Sequence, residues 1–405
     1  MTCDLLRNGV LQRLAKLTFG ELRIADHGEM FSCGQRETSG LSTEITVHDR
    51  RFYSQLVLGG GIGAAEAYIR GYWDAEVLTT AMRILSQNAE ILAGMEKGAA
   101  QLLKPMRSAA NWLRRNTRAG SKRNISAHYD LSNEFFGLML DPTMTYSGGV
   151  FPTPTSSLEE ASTEKYDRIC RKLKLTPADH VLEIGTGWGG FAEHAARRYG
   201  CRVTTTTISD EQYQYAHDRF RRGSLEDQVT LLRKDYRDLS GKYDKLVSIE
   251  MIEAVGHEFL PTYFRKCSEL LKPGGTFVLQ AITIPDQRYD RYRRSVDFIR
   301  RYIFPGGCLP SLGAISAAIA GPTDLRITHL EDFALHYAQT LEMWRRRFFE
   351  NIDSIRNLGA NERLVRAWDY YFSYCEAGFR EKMIGVAQFV LEKSDNGTNE
   401  KGKRR

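Results

Sequence analysis

A chain of 405 residues is longer than one ordinary hydrophobic core supports, so its length predicts two or three domains. With 42% hydrophobic and 26% charged residues, the composition is typical of a soluble globular protein, and no apolar run reaches the roughly 18 residues of a membrane-spanning helix. The seven cysteines are odd in number and widely spaced without any Cys-x-x-Cys pair, which argues against a disulfide framework and against a metal site.

Residues 1–95 are predicted to form a small, mostly helical N-terminal domain. The first residues have apolar positions at helical spacing rather than a continuous signal-peptide core, so the sequence predicts a cytoplasmic protein. The stretch ITVHDRRFYSQLVLGGGIGAAEAYIRGYWD, which starts at Ile45, has the pattern of a strand, a glycine-rich turn and helices.

A basic amphipathic linker is predicted at residues 96–123. From Lys97 to Arg123 it has eight Lys or Arg and no Asp or Glu, interleaved with apolar residues such as Trp112. Such a segment suits the anionic inner surface of a membrane, so we expect peripheral membrane association. A solvated helix packed between two domains is an equal alternative. Nucleic acid is not an expected partner, because no recognised nucleic-acid module accompanies the patch.

Residues 124–393 are predicted to form an α/β domain. From Leu175 onward, strands such as VLEIG, CRVTTTTIS and KLVSIEMI alternate with helices, which indicates a parallel sheet covered on both faces, a doubly wound Rossmann-like fold. After about Gln287 the chain becomes helical and aromatic-rich, and residues 394–405 are predicted to be a disordered tail.

The segment VLEIGTGWGGF (181–191) predicts a nucleoside-binding loop with Gly185, Gly187 and Gly189. A dinucleotide site usually needs a carboxylate about 20 residues on, and the second strand, TTTTIS, has none. Glu183 lies just before the loop, where it would repel a pyrophosphate but attract an ammonium or sulfonium group. These features favour S-adenosylmethionine over a nicotinamide. A loop that only tightens a turn is the structural alternative.

Two more landmarks resemble class I methyltransferases. LLKPGGTFVLQ (270–280) resembles the segment before the fifth strand of that fold, and RKDYRDL (233–239) supplies Asp235 and Tyr236 where the fold holds adenine. In place of the missing acid, Ser209 and Gln212, after Thr207, can bind the ribose hydroxyls as neutral groups.

Further segments extend the resemblance over most of the chain: NISAHYDLSNEFFGLMLDPTMTYS (124–147), TISDEQ (207–212), YDKLVSIEMIEAVG (243–256), YIFPGGCLPS (302–311), DFALHYAQTLEMW (332–344) and YCEAGFR (374–380). With them, the chain resembles the cyclopropane fatty acid synthases and their relatives that modify mycolic acids. The resemblance implies transfer of a methyl group from S-adenosylmethionine to the double bond of an unsaturated phospholipid acyl chain, with closure of a cyclopropane ring. It also implies that the N-terminal domain presents the lipid.

The resemblance assigns roles to individual residues. Tyr146 and Ser147 would cover the methionine end of the cofactor, and Tyr337 would face the cation formed on the acyl chain, with Tyr129 and Phe136 as further aromatic candidates. Core packing is the alternative for these rings and is favoured for Phe136. Cys375 matches a cysteine once proposed as a nucleophile, although packing is the favoured interpretation, and His128 is interpreted as structural.

The general base of the family is implied to be a bicarbonate held by five groups. Three of them match Glu253, the backbone of Ile282, and Tyr337, whereas the cysteine and histidine positions are occupied by Gly148 and Gln280. Bicarbonate could bind with a weaker grip, Glu253 could serve as the base, or the family could contain a subgroup with an equivalent site built from small residues and Gln.

Other outcomes stay open at this point. Deprotonation elsewhere would leave a methylene- or methyl-branched chain instead of a ring. A lipid sensor that binds S-adenosylmethionine without turnover and a small-molecule methyltransferase are further hypotheses. Whether the protein forms a homodimer is left open.

Overall fold

The computed structural model describes residues 3–93 and 132–395. The chain divides into two compact units, of which the first comprises residues 1–114, 294–305 and 334–384 and the second comprises residues 115–293, 306–333 and 385–405. The predicted basic linker, His128, Tyr129 and residues 396–405 of the predicted tail lie outside the described residues. Within the described ranges, no helix is both long enough and apolar enough to cross a bilayer.

The described residues form eleven strands and fourteen α-helices. The strands are β1 Gly20–Asp26, β2 Glu29–Gln35, β3 Ser42–Val47, β4 Trp73–Ala75, β5 His180–Ile184, β6 Arg202–Thr207, β7 Val229–Arg233, β8 Tyr243–Ile249, β9 Leu271–Thr283, β10 Leu325–Asp332 and β11 Gly385–Lys393. The helices are α1 Cys3–Leu14, α2 Arg51–Ile69, α3 Leu78–Gln87, α4 Ala89–Ala93, α5 Asn133–Met139, α6 Leu158–Leu173, α7 Gly190–Tyr199, α8 Asp210–Arg222, α9 Leu260–Leu270, α10 Asp286–Tyr292, α11 Leu312–Ala320, α12 Ala334–Glu350, α13 Ile352–Asn357 and α14 Glu362–Arg380, with a π-helical turn at Ile299–Ile303.

The first unit combines the two ends of the chain. A four-stranded sheet of order β2-β1-β3-β4 packs with α1–α4, and α12–α14 join the same unit. Tyr68 of α2 donates a hydrogen bond of 2.6 Å to Asp369 of α14, and Arg366 donates to the backbone oxygens of Tyr68 and Trp73. The structure therefore groups the chain differently from the expected division at residue 95, because α14 buries its polar and aromatic side chains against α2 and α3.

The glycine-rich stretch of the first unit is a kink inside a helix rather than a turn between elements. Helix α2 runs through GGGIG, and Gly60 adopts φ 58° and ψ −139°, a conformation that residues with a side chain rarely adopt. The strand predicted at ITV is β3, but it belongs to a four-stranded sheet whose other members the sequence pattern did not predict.

The second unit confirms the predicted doubly wound α/β fold. Its seven-stranded sheet has the order β10-β11-β9-β8-β5-β6-β7, in which β7, β6, β5, β8 and β9 are parallel and β11 and β10 are antiparallel additions. Consecutive residues of a strand face opposite sides, so Leu182 packs in the core that includes Phe264 of α9, whereas Val181 packs in the core that includes Phe191 of α7.

The strand order places one edge of this sheet at a switch point. Strand β5 lies between β6 and β8, so the loops that follow β5 and β8 leave the sheet in neighbouring positions at its carboxyl edge. Open α/β sheets bind their ligands in the crevice at such a switch point. The loop of residues 185–189 and the segment of residues 250–256 that follows β8 both emerge there.

Candidate active site

The glycine loop between β5 and α7 depends on backbone conformations that favour glycine. Gly185, Gly187 and Gly189 have φ values of 102°, 54° and 88°. A Cβ at Gly189 would lie 2.9 Å from the ring of Phe220, so this glycine is needed for packing. A Cβ at Gly187 would meet nothing within 4 Å, so this glycine leaves open space beside the loop into which a ligand can fit.

Glu183 is a buried carboxyl at the base of this loop. It is 2% exposed, and its Oε2 accepts a hydrogen bond of 2.5 Å from the hydroxyl of Thr205. Burial raises the pKa of Glu183 to about 8, since the Thr205 hydroxyl stabilises the charged form only in part. A buried carboxyl in this state suits a positively charged ligand, which would supply the missing counter-charge. The residues therefore fit the sulfonium and ammonium of S-adenosylmethionine.

The predicted ribose segment forms a buried polar cluster at the start of α8. Ser209 caps the helix by accepting a hydrogen bond from the backbone N–H of Gln212 at 3.2 Å. The hydroxyl of Thr207 donates to Oε1 of Gln212 at 3.0 Å and accepts from the backbone N–H of Ser209. The three side chains are therefore neutral and brought together, as a hydroxyl-binding site without a carboxylate requires.

Asp235 is paired within its own turn. Its carboxylate accepts a hydrogen bond of 2.9 Å from the backbone N–H of Arg237. It accepts two more from the guanidinium of the same residue, of 2.8 Å from Nε and 2.6 Å from Nη2. The neighbouring Tyr236 packs edge to face against Tyr263, with 5.4 Å between ring centroids. The predicted contact of Asp235 and Tyr236 with adenine stays a prediction.

Ser147 is hydrogen-bonded to a buried lysine that the sequence interpretation did not include. Lys165 of α6 is completely buried and donates a hydrogen bond of 2.6 Å to the hydroxyl of Ser147. Burial lowers the pKa of Lys165 to about 8, while the charges of Glu250 and Asp141 oppose that shift. Tyr146 packs against Phe136, with 5.3 Å between ring centroids.

Glu253 and Ile282, which the resemblance matches to ligands of the bicarbonate, are hydrogen-bonded to each other. Oε1 of Glu253 accepts a hydrogen bond of 2.6 Å from the backbone N–H of Ile282 on β9. Oε2 is buried and has no hydrogen-bond partner among the described residues. Burial, followed by the nearby charge of Glu250, raises the pKa of Glu253 to about 8. Glu253 is thus a buried carboxyl with one oxygen able to accept a proton.

Gly148 and Gln280 bind a carboxylate of the chain itself. Oε1 of Glu250 accepts two hydrogen bonds, one of 2.9 Å from the backbone N–H of Gly148 and one of 2.8 Å from Nε2 of Gln280. Gln280 also donates to the backbone oxygen of Gly148 at 3.2 Å, and its own oxygen accepts from Gln388 at 3.0 Å. The two positions that differ from the family pattern therefore form one cluster with Glu250.

Glu250 was missed by the sequence interpretation. The segment SIEMIEAVG has two glutamates three residues apart at the end of a strand, and only the second matched the family motif. The signal that could have found Glu250 was a second glutamate three residues before Glu253, in a chain whose cysteine and histidine positions are Gly148 and Gln280.

Tyr337 and Cys375 belong to the first unit. Tyr337 of α12 is buried and stacks on Phe379 of α14, with 4.4 Å between ring centroids and 11° between ring planes. Burial raises the pKa of the Cys375 thiol, and the charge of Asp297 raises it further, so the thiol stays protonated at neutral pH. A protonated thiol is a poor nucleophile, which favours packing for Cys375.

The parallel sheet with its switch point and the buried carboxyl at the glycine loop define a class I S-adenosylmethionine-dependent methyltransferase fold. The sequence model of the family "Mycolic acid cyclopropane synthetase" matches residues 116–389. This chain belongs to that family, and its cofactor is S-adenosylmethionine.

Several characterised proteins are similar along most of the chain. A tuberculostearic acid methyltransferase of Mycobacterium tuberculosis is 39% identical over 82% of this chain and 79% of its own length. The cyclopropane-fatty-acyl-phospholipid synthase of Escherichia coli K12 is 34% identical over 87% of this chain and 89% of its own length. The crystal structure of a mycolic acid cyclopropane synthase with S-adenosylhomocysteine has a TM-score of 0.62 and is 30% identical, over 67% of this chain and 98% of that one.

Proposed function

We propose that this protein transfers a methyl group from S-adenosylmethionine to the double bond of an unsaturated acyl chain in a membrane phospholipid, and that loss of a proton then closes a cyclopropane ring. The observation that carries the proposal is Glu253, a buried carboxyl in the segment that follows β8 at the carboxyl edge of the sheet, whose Oε2 has no hydrogen-bond partner in the described ranges 3–93 and 132–395. Proteins named as cyclopropane synthases and fatty acid methyltransferases are similar over two thirds or more of the chain, which supports the lipid substrate.

S-adenosylmethionine supplies an electrophilic methyl group on a positively charged sulfur. The π electrons of the acyl double bond form a carbon–carbon bond to this methyl group as its bond to sulfur breaks, which leaves a cation on the neighbouring acyl carbon. A proton then leaves the transferred methyl group, and the electron pair of that C–H bond closes the ring. The proton goes to Oε2 of Glu253.

Glu253 suits this role because its environment makes it a stronger base than an exposed carboxylate. A general base works best when its pKa lies near the working pH, and burial raises the pKa of Glu253 to about 8. The backbone N–H of Ile282 fixes Oε1, so Oε2 is the oxygen left to accept the proton. Aromatic faces stabilise a cation by about 0.5 to 2 kcal/mol each, which is the role proposed for Tyr337.

The substrate is embedded in a membrane, so the protein must work at a membrane surface. We propose peripheral association with the cytoplasmic face, through the basic residues between Lys97 and Arg123 and the N-terminal part of the chain. Association of this kind weakens as salt screens the charges.

A methylene-branched acyl chain is a second candidate product. The observation that favours it is Glu250, which fills the position between Gly148 and Gln280, so the site differs from the family pattern. The similarity to a protein named as a tuberculostearic acid methyltransferase, not as a cyclopropane synthase, also favours it. In this route a hydride moves from the carbon that bears the new methyl group to the neighbouring cationic carbon. The methyl group then loses a proton, and the electron pair of that C–H bond forms a double bond between the methyl carbon and the acyl chain. Both routes remove a proton from the same methyl group.

The deciding experiment is mass spectrometry with NMR of the lipids after the purified protein meets S-adenosylmethionine and liposomes of unsaturated and anionic phospholipid. Liposomes of saturated phospholipid are the matched control. A gain of one CH2 with ring protons supports the synthase, and the same gain with vinylic protons supports the branched product. A gain of CH2 plus water would mean that water captures the cation, which contradicts proton transfer to Glu253. Cofactor binding without any lipid product would favour the sensor.

A further inference from the structure

Glu250 is held in a costly backbone conformation. It follows β8 with φ +50°, in the left-handed region that residues with a side chain rarely adopt outside Asn and Asp. Such a conformation persists only where the surrounding structure fixes it, and it is frequent at functional sites. Glycine would adopt this φ without strain, so the carboxylate of Glu250 must contribute something that glycine could not.

The carboxylate of Glu250 is surrounded by fixed donors. Gly148 and Gln280 both donate to its Oε1, and the backbone N–H of Glu250 donates to the backbone oxygen of Gln280 at 2.8 Å. Gln280 is itself oriented by Gln388, whose Nε2 donates a hydrogen bond to Oε1 of Gln280. The side-chain oxygen of Gln388 in turn accepts a hydrogen bond of 2.6 Å from Lys172. This relay fixes which end of the Gln280 amide faces Glu250, so the site presents two N–H donors to one anion.

Two titratable groups on different elements interact with this anion. Glu253, on the segment after β8, has a raised pKa partly because of the charge of Glu250. The other is Lys165 of α6: the charge of Glu250 opposes the loss of the proton from Lys165, as does the charge of Asp141 in the loop after α5. The charge of Glu250 therefore affects both Glu253, the candidate base, and Lys165, the buried lysine that donates a hydrogen bond to Ser147.

We propose that Glu250 is a positioning residue for the proton transfer: its carboxylate is a built-in anion between Gly148 and Gln280, which makes a dissolved anion such as bicarbonate unnecessary and makes Glu253 a stronger base for the departing proton. This inference rests on the proposed function for its catalytic part. Its binding part, that the position between Gly148 and Gln280 holds an anion, does not.

The test compares Glu250→Gly, Glu250→Gln and the exposed control Glu226→Gln. Glycine suits φ +50°, so Glu250→Gly is expected to fold with an undiminished melting temperature while it opens the anion position. Turnover of unsaturated liposomes is measured in buffer freed of carbon dioxide, with and without millimolar bicarbonate or formate. Binding of carbon-13 bicarbonate is followed by NMR without lipid.

The unaltered protein and Glu226→Gln are expected to turn over at the same rate with and without bicarbonate. Glu250→Gly is expected to lose on the order of 10²-fold in rate, the size of a general-base contribution, and to regain much of it with bicarbonate or formate. In Glu250→Gln the amide still fills the position, so added anions should not restore the rate. The rise of kcat/KM with pH should also move to lower pH, because the charge that raises the pKa of Glu253 is gone.

Three results would overturn the inference: a slower unaltered enzyme after bicarbonate is removed, full activity of Glu250→Gly, or equal bicarbonate binding by the unaltered protein and Glu250→Gly. If the unaltered protein modifies no lipid in any buffer, the proposed function and the catalytic part of the inference fail together. The NMR titration still decides the binding part in that case, since it needs no turnover.

Discussion

The side-chain amide of Gln280 donates a 2.8 Å hydrogen bond to the carboxylate of Glu250, which lies thirty residues earlier in the chain. Strands β8 and β9 pair in parallel, and this register sets Ile249 opposite Gln280. The residue after Ile249 therefore reaches the amide. This contact changes the meaning of Gln280, which sequence matching presented as a weakened anion ligand and which the structure shows bound to an anion of the chain.

Replacement of Glu183 by Gln should weaken cofactor binding and remove its dependence on pH. The pKa of Glu183 is about 8 in the free protein, and a bound cation favours the carboxylate, so binding below pH 8 should release a proton. Affinity of the unaltered protein should therefore rise with pH up to about 8. For Glu183→Gln we expect affinity about 10- to 100-fold lower, from a charged hydrogen bond worth about 1.5 to 3 kcal/mol, and no proton release. Calorimetry in buffers of different ionisation enthalpy measures both, and equal proton release by the two proteins would contradict the assignment.

Two alanine substitutions in the glycine loop should have different effects. Gly189→Ala places a Cβ 2.9 Å from Phe220 at a positive φ, so it should lower the free energy of unfolding by about 2 kcal/mol. Gly187→Ala meets open space and should cost about 1 kcal/mol of backbone strain, but its methyl group enters the space beside the loop and should reduce cofactor affinity strongly. Gly321→Ala, at a negative φ in open space, is the control for both. Thermal unfolding and cofactor titration of the three variants separate packing from binding, and unchanged affinity in Gly187→Ala would exclude the loop as the cofactor site.

Replacement of Tyr337 should separate its ring from its hydroxyl. Tyr337→Phe keeps the stack on Phe379, so the free energy of unfolding should change by no more than about 1 kcal/mol. If Glu250 supplies the anion, the hydroxyl is not needed as an anion ligand, and Tyr337→Phe should keep the rate within about tenfold. Tyr337→Leu removes the aromatic face and should be slower than Tyr337→Phe by about tenfold, which corresponds to about 1.4 kcal/mol of cation stabilisation. Single-turnover rates on unsaturated liposomes provide the comparison, and equal rates for the two variants would argue against a cation at this ring.

Replacement of Glu253 by Gln should stabilise the protein without cofactor, and more so at alkaline pH. The pKa of Glu253 is raised to about 8 in the folded state from 4.5, so the folded protein holds a proton that the unfolded chain loses between these values. Stability of the unaltered protein therefore falls as pH rises through this window, and the loss is complete above pH 8. We expect the stabilisation by Glu253→Gln to be larger at pH 8.5 than at pH 5 by about 4 kcal/mol, with turnover abolished. Denaturant unfolding at both pH values measures the difference. A pH-independent effect of Glu253→Gln would mean that this carboxyl does not titrate in the window.

Local patterns in the sequence were enough to predict the α/β fold and the glycine-rich loop at its switch point. Alternating strands and helices between Leu175 and Thr283 dictate a parallel sheet, because each apolar strand must be covered on both faces. Gly185, Gly187 and Gly189 indicate a turn with positive φ, and Glu183 indicates a cationic ligand. These inferences depend on residues within a few positions of each other, so the sequence pattern alone is enough to make them.

Tertiary structure alone decided the arrangement of the anion site and the grouping of the C-terminal helices. Gly148, Glu250 and Gln280 come from separate parts of the chain. The parallel pairing of β8 with β9 brings Glu250 and Gln280 together, and the segment between α5 and α6 adds the backbone N–H of Gly148. Tyr68 and Asp369 are likewise 301 residues apart and meet because α2 and α14 bury each other. Contacts of such sequence separation leave no local pattern, since either residue alone is compatible with many folds, and the free energy that selects one partner comes from the packed core.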